Sequence, residues 1–356
     1  MPPDRETDEL EITLVTAEGQ PIRKRISGVN RATVLEGVRQ FEQDLSRPGK
    51  RYLSTGQQLY QWLIAPIEAY LQAQEIENLV FIMDEGLRSF PIAALHDGEQ
   101  FLIEKYSVGL APSLTLTETR YSSLKQAQVL AMGSAQFTNL QPLPAVPIEL
   151  SMIFKNAWQG KLFMNEQFTI SNLNAQRNQT PFGIVHLGTH AKFNSETPNN
   201  SYIQFWDERL RLDQVRDLNL NQPPVKLLVL SACTTLLGNR EAELGFAGFA
   251  AKAGVESVLA SLWPVDDKGT LPLMVEFYRQ LATAPIKAEA LRQAQISMLR
   301  GEVQYESDTT DIRRGERLVL PNQEAIPIPS ELAENGHYEL SHPFYWAAFT
   351  LVGSPW

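Results

Sequence analysis

Two stretches decide the fold: GIVHLGTH at residues 183–190 and KLLVLSACTT at residues 226–235. Each is a short apolar run that stops abruptly in small and polar residues. Strands buried on both faces of a parallel sheet read this way, as continuous apolar runs rather than alternating ones. The first run ends in His190. The second delivers Cys233, the single cysteine of the chain. Their separation accommodates one crossover and a return to an adjacent strand. Neighbouring strands lie ~4.8 Å apart, so side chains at two adjacent strand ends can meet. In open α/β sheets, binding and chemistry collect at the carboxyl ends of the strands.

Working outward, the same pattern recurs. Residues 78–83 (NLVFIM), 128–133 (QVLAMG) and 256–262 (ESVLASL) read as further buried strands, and the terminal HPFYWAAFTLVG as an aromatic-rich one. Helical spacing appears at about 30–46, 56–74, 148–158, 168–178, 267–283 and 286–300, with weaker helices expected at 113–122, 212–218 and 241–253. Residues 201–205 suggest a short strand. A hairpin is expected over 11–29, turning at Glu18-Gly19-Gln20-Pro21, and another over 89–109 around His96-Asp97-Gly98. Residues 301–341 are polar and aperiodic, which predicts a functional or mobile loop. Strands alternating with helices imply a mostly parallel sheet covered on both faces. The character of the chain changes near residue 125, giving an expected division into 1–125 and 126–356.

A chain of 356 residues can bury a large core, and 43% hydrophobic with 20% charged residues is a globular composition. The net charge of −10 opposes a general nucleic-acid binder. One cysteine excludes an internal disulfide framework and fits a reducing compartment. No secretory signal is visible at the N-terminus, and no run approaches the ~18 apolar residues of a membrane span. The expectation is a cytoplasmic protein with no nucleic-acid or membrane partner and no cofactor.

A free thiol has a pKa near ~8.5, so a cysteine nucleophile needs a neighbour that holds its thiolate. An imidazole does this and can later protonate a leaving amine. His190 and Cys233 are therefore a candidate dyad. A lone Cys after LLVLSA is equally a small buried hydrophobe. His186 lies inside the apolar run and reads as structural. The HxxxH spacing of His186 and His190 suits zinc only on a helix with further ligands, and Gly188 opposes a helix, so no metal is expected. SACTT also resembles the nucleophile loop of aldehyde dehydrogenases acting on phosphorylated sugars, but the glycine-rich dinucleotide-binding unit those enzymes need is absent.

At these residues the sequence resembles the cysteine-peptidase clan that contains caspases and separases, and within it the CHAT domain family, often found with tetratricopeptide repeats. The resemblance rests on FIMDEGLRSFPIAAL at 81–95, GLAPSLT at 109–115, IVHLGTHAKF at 184–193, LVLSACTT at 228–235, GFAGFAAKAGVESVLASLWPVDDKGT at 245–270 and HPFYWAAFTLVG at 342–353. It implies a caspase-like three-layer α/β fold with a mostly parallel sheet flanked by helices. A smaller, pseudo-protease-like half would precede the catalytic half. It further implies a cysteine endopeptidase (a thiol-protease hydrolase) with His190 as acid or base and Cys233 as nucleophile. The backbone N–H groups of Ala191 and Cys233 would form the oxyanion hole. Where the clan usually has Gly after the histidine, this chain has Ala191, which tolerates a left-handed backbone poorly. LWPVDDKGT resembles the separase segment lining a pocket for Arg or Lys, making Asp266 and Asp267 candidate substrate-binding acids, Asp267 slightly favoured. Both also fit a helix start, as N-cap and first-turn acids. The implied partners are a protein substrate and a regulatory protein or recognition repeats. Loops 235–243 and 301–341 are the expected moving parts. The competing function is a catalytically silent interaction module of the same fold.

Overall fold

The computed structural model describes residues 8–17, 19–47, 49–88, 90–113, 115, 117–155, 158–192, 201–231, 254–307, 316–333 and 338–356. The chain forms two compact units, one from residues 1–79 and 90–107 and the other from 80–89 and 108–356.

The smaller unit begins with the expected hairpin, β1 (Glu9–Leu14) paired antiparallel with β2 (Ile22–Asn30). Asn30 then caps α1 (Arg31–Leu45) by accepting the Thr33 N–H at 2.9 Å. Val34, Val38, Phe41 and Leu45 recur at helical spacing and all are buried. The single helix expected over 56–74 is two, α2 (Tyr52–Leu63) and α3 (Ala65–Ala73), because Pro66 cannot supply the backbone donor that continuity requires. Phe41 packs on Phe90 with ring centroids 5.9 Å apart. The hairpin expected at 89–109 reduces to an isolated bridge between His96 and Phe101, after which the chain enters the short helix α4 (Leu102–Lys105).

The larger unit is built on an eight-stranded sheet. Its strands are β3 (Asn78–Phe81), β4 (Ser107–Leu110), β5 (Val129–Gly133), β6 (Gly160–Met164), β7 (Ile184–Gly188), β11 (Leu227–Ser231), β12 (Ser257–Ser261) and β16 (Phe349–Gly353), in the order β3-β4-β16-β12-β11-β7-β5-β6. The β6, β5, β7, β11 and β12 neighbours pair in parallel; β16 runs antiparallel to β12 and parallel to β4. The described residues of 113–122 form no α-helix.

Side-chain alternation divides the central strands between two layers. Leu130 and Met132 of β5, Val185 and Leu187 of β7, and Leu228 and Leu230 of β11 pack with Leu173 of α6 (Ile170–Gln179) and with Val215 and Leu218 of a 3-10 helix (Leu212–Leu218). That layer also holds β8 (Ala191–Lys192), β9 (Tyr202–Gln204) and β10 (Arg209–Arg211), which form a small antiparallel sheet. The intervening side chain His186 points the other way, to α5 (Val146–Lys155) and α7 (Asp267–Leu281). The helix α8 (Lys287–Leu299) packs beside α7. Full burial of each Leu or Phe here contributes roughly 1.5–3 kcal/mol relative to exposure.

Residues 301–341 are not a bare loop. They contain a further antiparallel sheet, β13 (Gln304–Ser307), β14 (Glu316–Val319) and β15 (Ala325–Pro327), and the short helix α9 (Ser330–Ala333). Strands this short show too few alternations to register as a period. The helix α10 (Pro343–Trp346) leads into β16. The expected helix at 241–253 lies outside the described residues.

Candidate active site

The two strands quoted at the outset are neighbours, in register from Leu227 opposite Ile184 to Ser231 opposite Gly188. His190 stands two residues beyond Gly188, and Cys233 two residues beyond Ser231 in the sequence. Cys233 itself lies outside the described residues. At the strand ends, Gly133 of β5 has no room for a side chain: a Cβ there would sit 2.5 Å from the Gly188 carbonyl oxygen. The backbones of β5 and β7 thereby converge where the loops leave the sheet.

His190 is half-buried and held on several sides. Its carbonyl accepts the Gln204 N–H at 2.9 Å, and the preceding Thr189 donates its hydroxyl to the Gln204 carbonyl at 2.5 Å. Its Nε2 lies 2.7 Å from the backbone carbonyl oxygen of Gln141. A carbonyl only accepts, so Nε2 carries a proton and Nδ1 is the ring nitrogen left for proton exchange. Phe137 packs edge-on against the imidazole, with centroids 4.8 Å apart. Phe137 and Gln141 both belong to the 134–145 segment joining β5 to α5. The prolines at 142, 144 and 147 mark that segment in the sequence as a loop. A backbone carbonyl leaves no sequence signal, so its role was not legible.

Ala191 is buried and opens β8, opposite Ile203 of β9. Its φ is not among the positive ones, so the position makes no demand for glycine. Because residues 190 and 204 share a ladder hydrogen bond, the Ala191–Ile203 pair is the non-hydrogen-bonded type, and the Ala191 N–H turns away from β9.

His186 has a different environment. It is fully buried, with Nδ1 3.0 Å from the Tyr278 hydroxyl and Nε2 2.7 Å from Glu149 Oε1. The Glu149 contact is a close ion-pair approach outside hydrogen-bond angles, since neither atom gains an aligned partner. Burial, and then the Glu149 charge, push the Tyr278 hydroxyl well above its ordinary range. Enclosed between α5 and α7, His186 is structural, as its place in the apolar run implied.

Asp266 is the N-cap of α7, accepting the Gly269 N–H on Oδ1 at 2.6 Å and the Tyr338 hydroxyl on Oδ2 at 2.8 Å. Its residue is exposed. Asp267 occupies the first turn but faces inward, accepting the Ala145 N–H on Oδ2 at 2.6 Å. Burial raises its carboxyl pKa to about 7; the Ala145 N–H opposes the rise, while Glu149 and Asp266 add to it. Trp263 donates its indole N–H to the Phe344 carbonyl at 2.9 Å, His342 caps α10, and Trp346 is core. No helix among the described residues is long and apolar enough to cross a membrane.

The sheet order and the flanking helices define an α/β protein with a mostly parallel eight-stranded sheet and a histidine held at its carboxyl edge. A family model of the CHAT domain matches residues 53–354, and the chain belongs to that family. No curated protein matches the sequence. Among solved structures, Saccharomyces cerevisiae separase bound to securin is similar at 13% identity, covering 83% of this chain and 17% of that one, with a TM-score of 0.48. The Arg-specific cysteine proteinase gingipain R is similar at 12% identity over 88% and 69% of the two chains, TM-score 0.49. The complex of Porphyromonas gingivalis RgpB pro- and mature domains gives 13% identity over 88% and 71%, TM-score 0.49. The chain thus spans well under a quarter of the separase chain it resembles.

Proposed function

We propose that the chain is a cysteine endopeptidase in which His190 and Cys233 act on a protein substrate. The observation that carries this reading is the imidazole of His190. It is fixed through Nε2 to the Gln141 carbonyl at the end of β7, beside and in register with the strand that leads to Cys233. In this scheme the Cys233 thiol passes its proton to His190 Nδ1. The thiolate attacks the scissile carbonyl carbon, and the backbone N–H groups of Ala191 and Cys233 receive the oxyanion. The imidazolium then protonates the departing amine as the C–N bond breaks, leaving a thioester that water hydrolyses. A regulatory protein or recognition repeats would present the substrate.

A basic side chain of the substrate would pair with Asp266 more readily than with Asp267, the acid favoured by sequence. Asp266 is exposed and Asp267 is turned inward. An exposed carboxylate pairs with Arg or Lys in bidentate or point-charge fashion. A panel of fluorogenic peptides varied at the residue before the scissile bond tests the scheme. Cleavage after Arg and Lys, abolished by His190→Ala and weakened about tenfold or more by Asp266→Ala, is expected. Cleavage after Asp would overturn the pocket, and turnover that survives His190→Ala would overturn the dyad.

A further inference from the structure

The loop that orients His190 is tied down at both ends by side chains from elsewhere in the fold. At its start, the Ala135 N–H donates to Asn165 Oδ1 at 3.2 Å, and Asn165 adopts the left-handed φ of 52° that asparagine tolerates better than most residues. The neck closes where the Leu143 N–H donates to the Ala135 carbonyl at 2.9 Å. At its end, the fully buried Ala145 donates its N–H to Asp267 Oδ2 at 2.6 Å. Gln141 and Phe137, which both touch the imidazole, lie between these anchors.

Asp267 is an expensive choice for this task. A buried backbone N–H needs only an acceptor, and a neutral amide oxygen would serve. A carboxylate here sits near Glu149 of α5 and Asp266 of its own turn, which resist its charge. Its hydrogen bond to the Ala145 N–H is nevertheless short, at 2.6 Å.

We propose that Asp267 is a positioning residue: through Ala145 it sets the 134–145 loop so that the Gln141 carbonyl holds His190 in the Nε2–H tautomer. Asn165 is the second anchor of the same loop. The inference rests on the dyad reading for its consequence in catalysis, but its structural part stands without it. Both contacts, Asp267 to Ala145 and Gln141 to His190, fall on this loop, so the role requires no contact of Asp267 with substrate.

The test compares the full chain with Asp267→Ala, Asp267→Asn and Asn165→Ala. Imidazole nitrogen NMR, with the His190 resonances assigned by His190→Ala, reads the tautomer directly. The wild type is expected to show one Nε2–H tautomer at His190. Asp267→Ala and Asn165→Ala should give a mixture of tautomers, with labelling of Cys233 by an electrophilic peptide at least tenfold slower. Asp267→Asn keeps an oxygen acceptor and should restore both readouts. An unchanged tautomer in the two alanine variants would overturn the proposal. So would loss of peptide affinity in Asp267→Asn with a normal tautomer, which would place Asp267 in the substrate pocket instead. If Asp267→Ala fails to fold, Asn165→Ala and Asp267→Asn carry the comparison. A wild type that shows the single tautomer but never labels would sink the dyad and leave the positioning device intact.

Discussion

At the scale of single residues, two acids of α5 and α7 carry consequences that stability measurements can read. The Asp267 carboxyl has a folded-state pKa raised to about 7, against about 3.9 for an unfolded aspartate. Between those values the folded state keeps a proton that the unfolded chain has released. Stability therefore falls as pH rises through this window and stays lower above it. At ~1.4 kcal/mol per unit, and allowing for partial solvent access, the loss is on the order of 2 kcal/mol. Asp267→Asn removes it. Urea unfolding should find the variant more stable than wild type at pH 8, with the difference gone by pH 4. Equal gains at both pH values would contradict the assignment. Glu149 and His186 form the other case, a buried pair with 1% and 0% side-chain exposure. Removing one member strands the other, so His186→Ala should cost roughly 3 kcal/mol. The double change Glu149→Leu with His186→Leu should cost less than the sum of its singles. Additive losses would show that the pair is not coupled.

At the scale of elements, the sheet from β13 to β15 is fastened to the start of α7. Lys268 is buried, pairs with Glu316 of β14, and sits 4.6 and 4.7 Å from the ring centroids of Tyr305 and Tyr338. Tyr305 donates its hydroxyl to the Lys268 carbonyl at 2.6 Å. Lys268→Met keeps the aliphatic stem but strands Glu316. A loss of about 2 kcal/mol is expected, with faster hydrogen exchange concentrated in the amides of 304–307 and 316–327. Protection that persists there would mean that the aromatic contacts alone hold the sheet. This element was the least readable from sequence. Its three strands are three or four residues long, so alternation had no length in which to appear. The long helices and apolar strands were readable because their periods run over several turns or fill both faces. The break at Pro66 inside an expected single helix belongs to the same lesson: hydrophobic spacing crossed the proline, but the backbone hydrogen bonds did not.

At the scale of the whole molecule, the quoted stretches did what their composition required. Continuous apolar runs demanded burial on both faces, which placed β7 and β11 at the middle of the sheet and sent His190 to its carboxyl edge. The pleat alone does not separate the two histidines, because residues four apart on a strand share a face; the family resemblance favoured His190, and the fold encloses His186 within the strand while leaving His190, beyond its end, half-buried. What the sequence could not convey was support by backbone. Gln141 contributes a carbonyl and Ala145 an N–H, and any residue type offers those groups; only the folded loop reveals which of them meet His190 and Asp267.

In the proposed dyad His190 activates the Cys233 thiol. Intact-protein mass spectrometry after exposure to an electrophilic peptide ending in Arg tests it most directly. One adduct per chain is predicted, mapped to Cys233, absent in Cys233→Ala and at least a hundredfold slower in His190→Ala. Equal labelling rates in wild type and His190→Ala, or a folded wild type that takes no label, would contradict it.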